Sequence, residues 1–174
     1  MASLADVFRI LNEMKSEGVI GEYAIGGAMA TLFYAEATRT YDVDVFARLP
    51  QISVRSASSD GGFLTLTALY EWARARGFEP HDEHLVIHSV PVQFLAADDG
   101  LEHEAVEQAQ TLDYEGVAVR VIAPHHLIAL YLRAGGARRR ERVLMLREAG
   151  VVDLDALHEV LERYGLEPAA EARP

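Results

Sequence analysis

Two aspartates one residue apart are the first residues in this chain whose spacing suggests chemistry. Asp42 and Asp44 lie in the segment YDVDVFARL, where apolar residues alternate as they do in a strand. Side chains two apart in a strand point to the same face, so the two carboxylates lie side by side. Like charges at that separation repel, and a divalent cation would neutralise them. Because such cations prefer carboxylate oxygens, the pair predicts a site for Mg²⁺ or Mn²⁺.

A glycine pair precedes the aspartates by one predicted helix. Gly26 and Gly27 follow the short strand-like segment EYAI, and residues 28–36 have a helical pattern. A Gly-Gly turn lets the backbone approach a ligand closely, and the free N–H groups of the next helix favour phosphate. A phosphate site beside a carboxylate–metal site is typical of phosphoryl or nucleotidyl transfer. Each motif alone is weak, but their order along the chain makes the prediction specific.

The elements that must position these motifs include both strands and helices. Strand and helix patterns are mixed up to about residue 122, and only helical patterns follow Pro124. The sequence therefore predicts an α+β fold, a mixed β-sheet flanked by helices. We expect a core over residues 1–122 and a C-terminal helical subdomain over residues 123–174. Pro124 suits a first helical turn, and Asp153 suits the cap of the last helix.

The composition limits the classes of function. The chain has 174 residues, half of them hydrophobic, and a formal net charge of −11, which disfavours a broad nucleic-acid-binding surface. It has no cysteine, which excludes disulfides, thiol chemistry and cysteine-bound zinc. No apolar run approaches the roughly 20 residues of a membrane span, and the N-terminus lacks a signal-peptide pattern. We therefore expect a cytoplasmic protein with no membrane partner.

The two motifs together resemble the signature of the nucleotidyltransferase superfamily with the DNA polymerase β fold. That signature has Gly-Gly or Gly-Ser after a hydrophobic residue, a helix, and then Asp-hydrophobic-Asp-hydrophobic, as at Ile25–Gly27 and Asp42–Val45. The chain is most similar to the AbiEii-type, toxin-like nucleotidyltransferases and their uncharacterised relatives. In that group Arg and Thr commonly precede the aspartates, as Arg39 and Thr40 do here. The resemblance covers roughly residues 20–165.

The resemblance implies a metal-dependent enzyme that transfers a nucleoside monophosphate from an NTP to an acceptor hydroxyl. Asp42 and Asp44 would hold one or two Mg²⁺ or Mn²⁺ ions. The acceptors of this superfamily include proteins, RNA ends and small molecules, so the acceptor stays open, as do a homodimer and a cognate protein partner. The residues that the resemblance assigns to the nucleotide are Gly26, Gly27, Arg39, Thr40, Arg138 and Arg139.

The predicted strand VPVQFLAA departs from the family pattern at Gln93. Members that catalyse usually carry a third carboxylate on this strand, which deprotonates the attacking hydroxyl. Neutral glutamine cannot act as that base, and Asp98 and Asp99 just downstream are more typical of a turn. The departure supports an alternative hypothesis, a degenerate member that binds a nucleotide or a partner protein without chemistry. Such a protein could belong to a toxin–antitoxin-like system.

The basic segment RAGGARRRERVLMLR is the second departure. The toxin-like family often has a lysine in the helix before this segment, near the position of Tyr131. Arginines can still bind a triphosphate bidentately, which keeps Arg138 and Arg139 as candidates. The alternative is that the cluster is simply a solvated start of a helix.

Several histidines are weaker candidates for functional residues. His84 and His88 are predicted to share a strand face with His81 nearby, where two imidazoles could hold zinc, although no third ligand is evident. His125 and His126 follow Pro124 and are predicted to form an exposed first helical turn, which could also approach the active cleft.

Overall fold

A mixed sheet organises the part of the chain that the structure describes. The computed structural model describes residues 3–35, 40–49, 61–98 and 100–167, with only the backbone of residues 61–66. The elements in these ranges are α1 (Leu4–Ser16), β1 (Tyr23–Ile25), α2 (Gly27–Tyr34), β2 (Val43–Ala47), α3 (Gly61–Ala75), β3 (Glu79–His81), β4 (His84–Ile87), β5 (Val90–Ala96), α4 (Gly100–Glu107), β6 (Gln110–Tyr114), β7 (Val117–Val121), α5 (Pro124–Ala134), α6 (Ala137–Glu148) and α7 (Leu154–Arg163).

The strands form one sheet in the order β3-β4-β5-β2-β1-β7-β6, with β2 in the middle. The pairs β2–β5 and β1–β7 are parallel, and the remaining neighbours are antiparallel. The central strands are flanked on both sides by other strands, so every backbone ladder near the aspartates is paired. The predicted α+β fold with a mixed sheet and flanking helices is confirmed.

Alternation along β2 divides its side chains between two environments. Val43, Val45 and Ala47 are fully buried, which is the reason this short strand forms, since their burial offsets the cost of ordering it. Asp44 and Phe46 point to the other face and are half-buried. This second face is the one that α2, α5 and α6 border. The functional pattern is therefore built on a strand that the core holds rigidly.

The C-terminal helices begin as the sequence predicts. Pro124 occupies the first turn of α5, where its missing N–H is not needed. The Asp153 side chain accepts a hydrogen bond of 3.0 Å from the Ala156 N–H and so caps α7. The boundary between a core and a C-terminal subdomain at residues 122 and 123 stays a prediction. Helix α5, which follows this boundary, packs against α2 and α4 of the predicted core as well as against α6 and α7.

Several local predictions were wrong. The segment LEHEAVEQAQ, residues 101–110, has a pattern that predicts one helix, but α4 ends at Glu107 and the strand β6, which the pattern does not predict, begins at Gln110. His84 and His88 do not share a strand face, because β4 ends at Ile87 and His88 lies in a turn with a φ of +50°. The ring of His88 contacts Phe78 instead.

The first turn of α5 also differs from its prediction. His126 is fully buried rather than exposed, and its Nε2 lies 3.1 Å from Oε1 of Glu104 on α4. Its neighbour His125 is half-buried.

The predicted nucleotide-binding residue Arg39 lies outside the described residues, as does Asp99, which was predicted to lie in a turn. None of the helices in the described ranges is long and apolar enough to cross a membrane.

Candidate active site

The glycine pair forms the junction between β1 and α2. Gly26 is the N-cap of α2, and its N–H donates a 2.9 Å hydrogen bond to the carbonyl of Asp44. Gly27 begins the helix with a φ of +55°, in the left-handed region that glycine adopts without strain. A Cβ at Gly27 would overlap Oδ2 of Asp44 and lie 2.8 Å from its Cγ. A Cβ at Gly26 would meet the ring of Phe46 in the same way. Both glycines therefore let the helix start close to β2.

The turn is held from the other side by α5. The hydroxyl of Tyr131 donates a 2.5 Å hydrogen bond to the carbonyl of Gly27, and it lies 2.8 Å from Oγ1 of Thr31. Burial raises the pKa of Tyr131, so its hydroxyl keeps its proton and remains a donor. Tyr131 thus ties the start of α2 to the C-terminal helices.

Asp42 stands immediately before β2 rather than within it. Its carboxylate oxygen Oδ1 accepts a 2.8 Å hydrogen bond from the hydroxyl of Thr40. Asp42 is exposed, so this bond is what limits the directions that its carboxylate can take. Thr40 therefore orients Asp42, and a direct contact of Thr40 with a nucleotide stays a prediction.

Asp44 carries the unfavourable charge of the pair. Burial raises its pKa above the ordinary value, and the negative charge of Asp42 raises it further. The guanidinium groups of Arg142 and Arg139 act in the opposite direction, as does His84 in its protonated form. The two aspartates are therefore close enough to repel, and positive groups from β4 and α6 partly compensate the repulsion.

A cavity of about 480 Å³ opens over the two aspartates. One side is formed by Asp42, Asp44 and Gln93, and Ala28 brings the first turn of α2 to it. The opposite wall is α6 and the loop before it, which contribute the arginines Arg138, Arg139 and Arg142. Carboxylates on one wall and guanidinium groups on the other provide separate places for a cation and for phosphates.

A second cavity, of about 380 Å³, meets the first at Asp44. Both are lined by Asp44, Gln93, Arg139 and Arg142. The second is otherwise mainly apolar, and an ion pair between Glu102 and Arg133 stands at its side. The apolar side chains that line this second cavity include Phe46, Leu95, Leu127 and Leu130. The site thus has two chambers that share one charged centre.

Solved structures with the same arrangement of elements are nucleotidyltransferases or resemble them. An antigenic nucleotidyltransferase-like protein from Paracoccidioides brasiliensis superposes with a TM-score of 0.55 at 17% identity, over 93% of this chain and 88% of its own. The antibiotic-resistance factor ANT(2'')-Ia superposes with a TM-score of 0.51 at 12% identity, over 92% of this chain and 90% of its own. A crystal structure of ANT(2'')-Ia with adenylyl-2''-tobramycin gives 0.50 at 14% identity, over 94% and 99%.

The chain has a nucleotidyltransferase fold. No protein-family model matches its sequence, and no curated protein matches it significantly. At such low identity the likeness establishes the nucleotidyltransferase fold alone, and the chemistry has to be argued from the residues of this chain.

Within the nucleotidyltransferase fold, Gln93 stands beside the aspartates as the sequence predicts. The parallel pairing of β2 with β5 places Gln93 directly opposite Asp44. Cross-strand partners point to the same face, so the amide of Gln93 and the carboxylate of Asp44 are neighbours. A neutral side chain therefore stands beside Asp44 on the neighbouring strand.

The residues present fit a hard divalent cation. Asp42 and Asp44 offer carboxylate oxygens in one cavity, and a cation there would relieve the repulsion that raises the pKa of Asp44. Among the residues with described positions, no group of three or more His, Cys, Asp or Glu side chains could enclose a metal. A site with two carboxylates suits Mg²⁺, which usually completes its coordination with water and substrate phosphates.

The structure brings most of the predicted site residues together. The first cavity is lined by Asp42, Asp44, Gln93, Arg138 and Arg139, and Gly27 lines the second.

Arg142 was named only within the basic cluster, yet it lines both cavities. Its spacing provides the signal that could have identified it, because residues three and four apart on a helix share a face, as Arg139 and Arg138 do with Arg142.

Proposed function

We propose that this protein is a metal-dependent nucleotidyltransferase, which transfers a nucleoside monophosphate from an NTP to a hydroxyl of an acceptor. The observation that carries the proposal is the first cavity, in which Asp42 and Asp44 face the arginines of α6 beside the start of α2. Asp42 and Asp44 would hold Mg²⁺ or Mn²⁺. The bound metal would neutralise phosphate charge and polarise the phosphorus that is attacked.

The protein's own groups would position the triphosphate. The N–H groups at the first turn of α2, whose Ala28 lines the first cavity, favour an anion. Arg138, Arg139 and Arg142 would bind the β- and γ-phosphates, which leave together as pyrophosphate. In this arrangement the α-phosphate lies over the aspartates, where the two cavities meet.

The second cavity supplies a place for the other reactant. It reaches Asp44 from a different side and adds the apolar side chains of Phe46, Leu95, Leu127 and Leu130, which the first cavity lacks. Reactants held in separate chambers with a common centre gain the advantage of proximity and orientation. ANT(2'')-Ia is found with an adenylylated aminoglycoside, so a small molecule joins RNA and protein as an acceptor class to be tested.

Labelled nucleotide transfer tests the proposal. The protein is incubated with Mg²⁺ or Mn²⁺, each α-³²P-labelled NTP, and three acceptor pools: cellular RNA, cellular protein and a panel of hydroxyl-bearing small molecules that includes tobramycin. Label transferred by the native protein and lost in Asp42→Asn and Asp44→Asn is the expected result. Transfer that persists in both variants would overturn the assignment of these aspartates.

The alternative function is that of a degenerate member that binds without chemistry, and the neutral Gln93 beside Asp44 favours it. It predicts metal-dependent NTP binding, measurable by calorimetry, with no transfer to any acceptor pool. The AbiEii-type assignment, and with it a cognate protein partner, rests on the sequence resemblance. Copurification of a partner that silences the transfer would support it.

A further inference from the structure

A histidine continues the row of side chains that contains Asp44 and Gln93. Strand β4 pairs with β5 in antiparallel register, with Leu85 opposite Val92, which places His84 opposite Gln93. Strand β5 pairs with β2 in parallel, with Gln93 opposite Asp44. Because cross-strand partners point to the same face, the three side chains form one row across three neighbouring strands.

Burial confirms that this row lies on the functional face. The adjacent row, formed by Leu85, Val92 and Val43, is at most 1% exposed and belongs to the core. His84 and Asp44 are half-buried and point the other way. The charge of His84 lowers the pKa of Asp44, so the imidazole is near enough to interact with that carboxylate.

We propose that His84 accepts the proton of the attacking hydroxyl, in place of the third carboxylate that this chain lacks. The inference rests on the proposed nucleotidyl transfer. Neighbouring strands are about 4.8 Å apart, so the backbones of His84 and Asp44 are separated by about 10 Å, with Gln93 between them. A hydroxyl above Gln93 then lies between the metal-binding carboxylate and the imidazole. The Gln93 amide can hold that hydroxyl by a hydrogen bond, although it cannot take its proton.

The proposed step balances in atoms and charge. The acceptor oxygen forms a bond to the α-phosphorus of the NTP, and the bond from that phosphorus to the oxygen bridging to the β-phosphate breaks. Pyrophosphate leaves with that electron pair. The hydroxyl proton moves to the unprotonated ring nitrogen of His84, which later releases it to water. An imidazole suits this task because it exchanges a proton close to neutral pH.

The surroundings of His84 distinguish it from the other histidines of this region. The charged group that interacts with it is Asp44 from β2, and its cross-strand partner on β3 is His81. The side chain of His81 is 81% exposed at the outer strand. His88 lies in the turn after β4 and contacts Phe78. His81 and His88 therefore serve as matched controls, since neither stands next to Gln93.

The experiment compares His84→Gln with His81→Gln and His88→Gln. We expect His84→Gln to lower kcat by about 10²–10⁴-fold with NTP affinity unchanged, and the two controls to stay within about twofold of the native protein. His84→Gln should also change the shape of the pH profile of kcat, which neither control should do. A native-like circular dichroism spectrum excludes unfolding as the cause.

A second variant tests the role by restoring it. The double variant His84→Gln/Gln93→Glu returns a carboxylate to the neighbouring strand, and we expect it to recover a substantial part of the lost kcat. A readout independent of turnover is NMR of the histidine rings. Adding Mg²⁺ with a non-reactive NTP analogue and the identified acceptor should shift the His84 resonances and leave those of His81 unchanged.

The outcomes separate this inference from the proposed function. If the native protein transfers label and His84→Gln keeps its kcat, then the role of His84 is refuted and the nucleotidyltransferase stands. The same holds if His84→Gln weakens NTP binding without changing kcat. If the native protein binds NTP with metal but transfers no label, the transferase and the role of His84 both fail, and the degenerate function is favoured.

Discussion

The missing side chain at Gly27 sets how closely the helix α2 approaches the Asp44 carboxylate. A Cβ there would overlap Oδ2 of Asp44, and the φ of +55° would add strain for any other residue. The position therefore needs glycine for two separate reasons, a conformational one and a steric one. The two reasons can be separated, because Gly77 has a similar φ of +78° and open space around its Cα.

We expect Gly27→Ala to weaken metal-dependent NTP binding by tenfold or more, or about 1.4 kcal/mol. Its added methyl displaces the Asp44 carboxylate, in addition to the roughly 1–2 kcal/mol of left-handed strain. Gly77→Ala should bear only the strain, with lower stability and normal NTP binding. The measurements are calorimetric NTP titration and urea unfolding. Equal NTP affinities in the two variants would show that the overlap with Asp44 does not matter.

Asp44 illustrates a conflict between stability and function at a single residue. Burial and the charge of Asp42 raise its pKa, which means that the ionised form is disfavoured in the folded state without metal. The folded state then binds this proton more strongly than the unfolded chain does. The carboxylate consequently makes folding less favourable as the pH rises through and above the ordinary Asp range near 4.

Asp44→Asn should therefore stabilise the metal-free protein at neutral pH, by about 0.5–2 kcal/mol, while it lowers transfer by at least about a hundredfold. Thermal unfolding at pH 7 measures the first effect and label transfer the second. Adding Mg²⁺ should raise the Tm of the native protein and leave the variant unchanged. A variant less stable than the native protein without metal would contradict the electrostatic account of Asp44.

At the scale of elements, one partly buried polar cluster joins three helices behind the site. Glu104 on α4 accepts hydrogen bonds from Arg163 at the end of α7 and from Tyr164 just after it, the latter 2.7 Å long. His126 on α5 lies 3.1 Å from the same carboxylate. Burial opposes the charge, but these hydrogen bonds lower the pKa of Glu104 to about 2. The cluster fixes α5, which carries Tyr131.

We expect Glu104→Gln to lower the free energy of unfolding at pH 7 by about 2 kcal/mol, because the charged hydrogen bonds are lost. A depressed folded pKa gives stability that is complete above the unfolded value near 4.5 and is lost as the pH falls towards 2. The difference between variant and native protein should therefore close between pH 4.5 and 2. Urea unfolding at several pH values measures it.

The matched control is Glu107→Gln on the same helix. The side chain of Glu107 is 52% exposed and pairs with Arg48 at 3.3 Å. An exposed pair contributes little, so we expect a change below about 0.5 kcal/mol. Equal losses in the two variants would show that the buried cluster adds nothing beyond an ordinary surface ion pair.

The individual helices and strands show which parts of the structure could be predicted from the sequence. The Gly-Gly turn, the helix and the Asp-x-Asp strand are contiguous, so local patterns were enough to predict these elements, and their role as the centre of a site stays a prediction. The strand β6 was missed because no glycine or proline separates it from α4, and only its pairing with β7, such as Leu112 with Val119, defines it. His126 was predicted to be exposed because its partner Glu104 lies on another helix. Such partners are set by tertiary contacts, which no local pattern contains.

At the scale of the whole molecule, the charge of the surface and the charge of the site are opposite. The chain has a formal net charge of −11, which repels an NTP from most of the surface. The wall that α6 forms brings Arg138, Arg139 and Arg142 to the cavity. The fold therefore concentrates positive charge where a triphosphate would bind, although the site also contains two carboxylates.

The arginines of α6 that line the first cavity can be tested by substitution. We expect Arg139→Ala/Arg142→Ala to weaken NTP binding by at least about tenfold at low salt, because two phosphate contacts are lost. The matched control is Arg140→Ala, since Arg140 is exposed on the same helix and lines neither cavity. Arg140→Ala changes the net charge by one unit and should leave the affinity within about twofold.

The salt dependence of NTP binding distinguishes local contacts with the arginines of α6 from the general electrostatic field of the molecule. The native affinity should fall as ionic strength rises, because the Debye length shortens from about 10 Å at 0.1 M to about 3 Å at 1 M. The double variant should show a flatter salt dependence, since fewer charges face the triphosphate. If Arg140→Ala and Arg139→Ala/Arg142→Ala weakened binding equally per charge removed, then the nucleotide would respond to the net charge of the molecule rather than to the wall of α6.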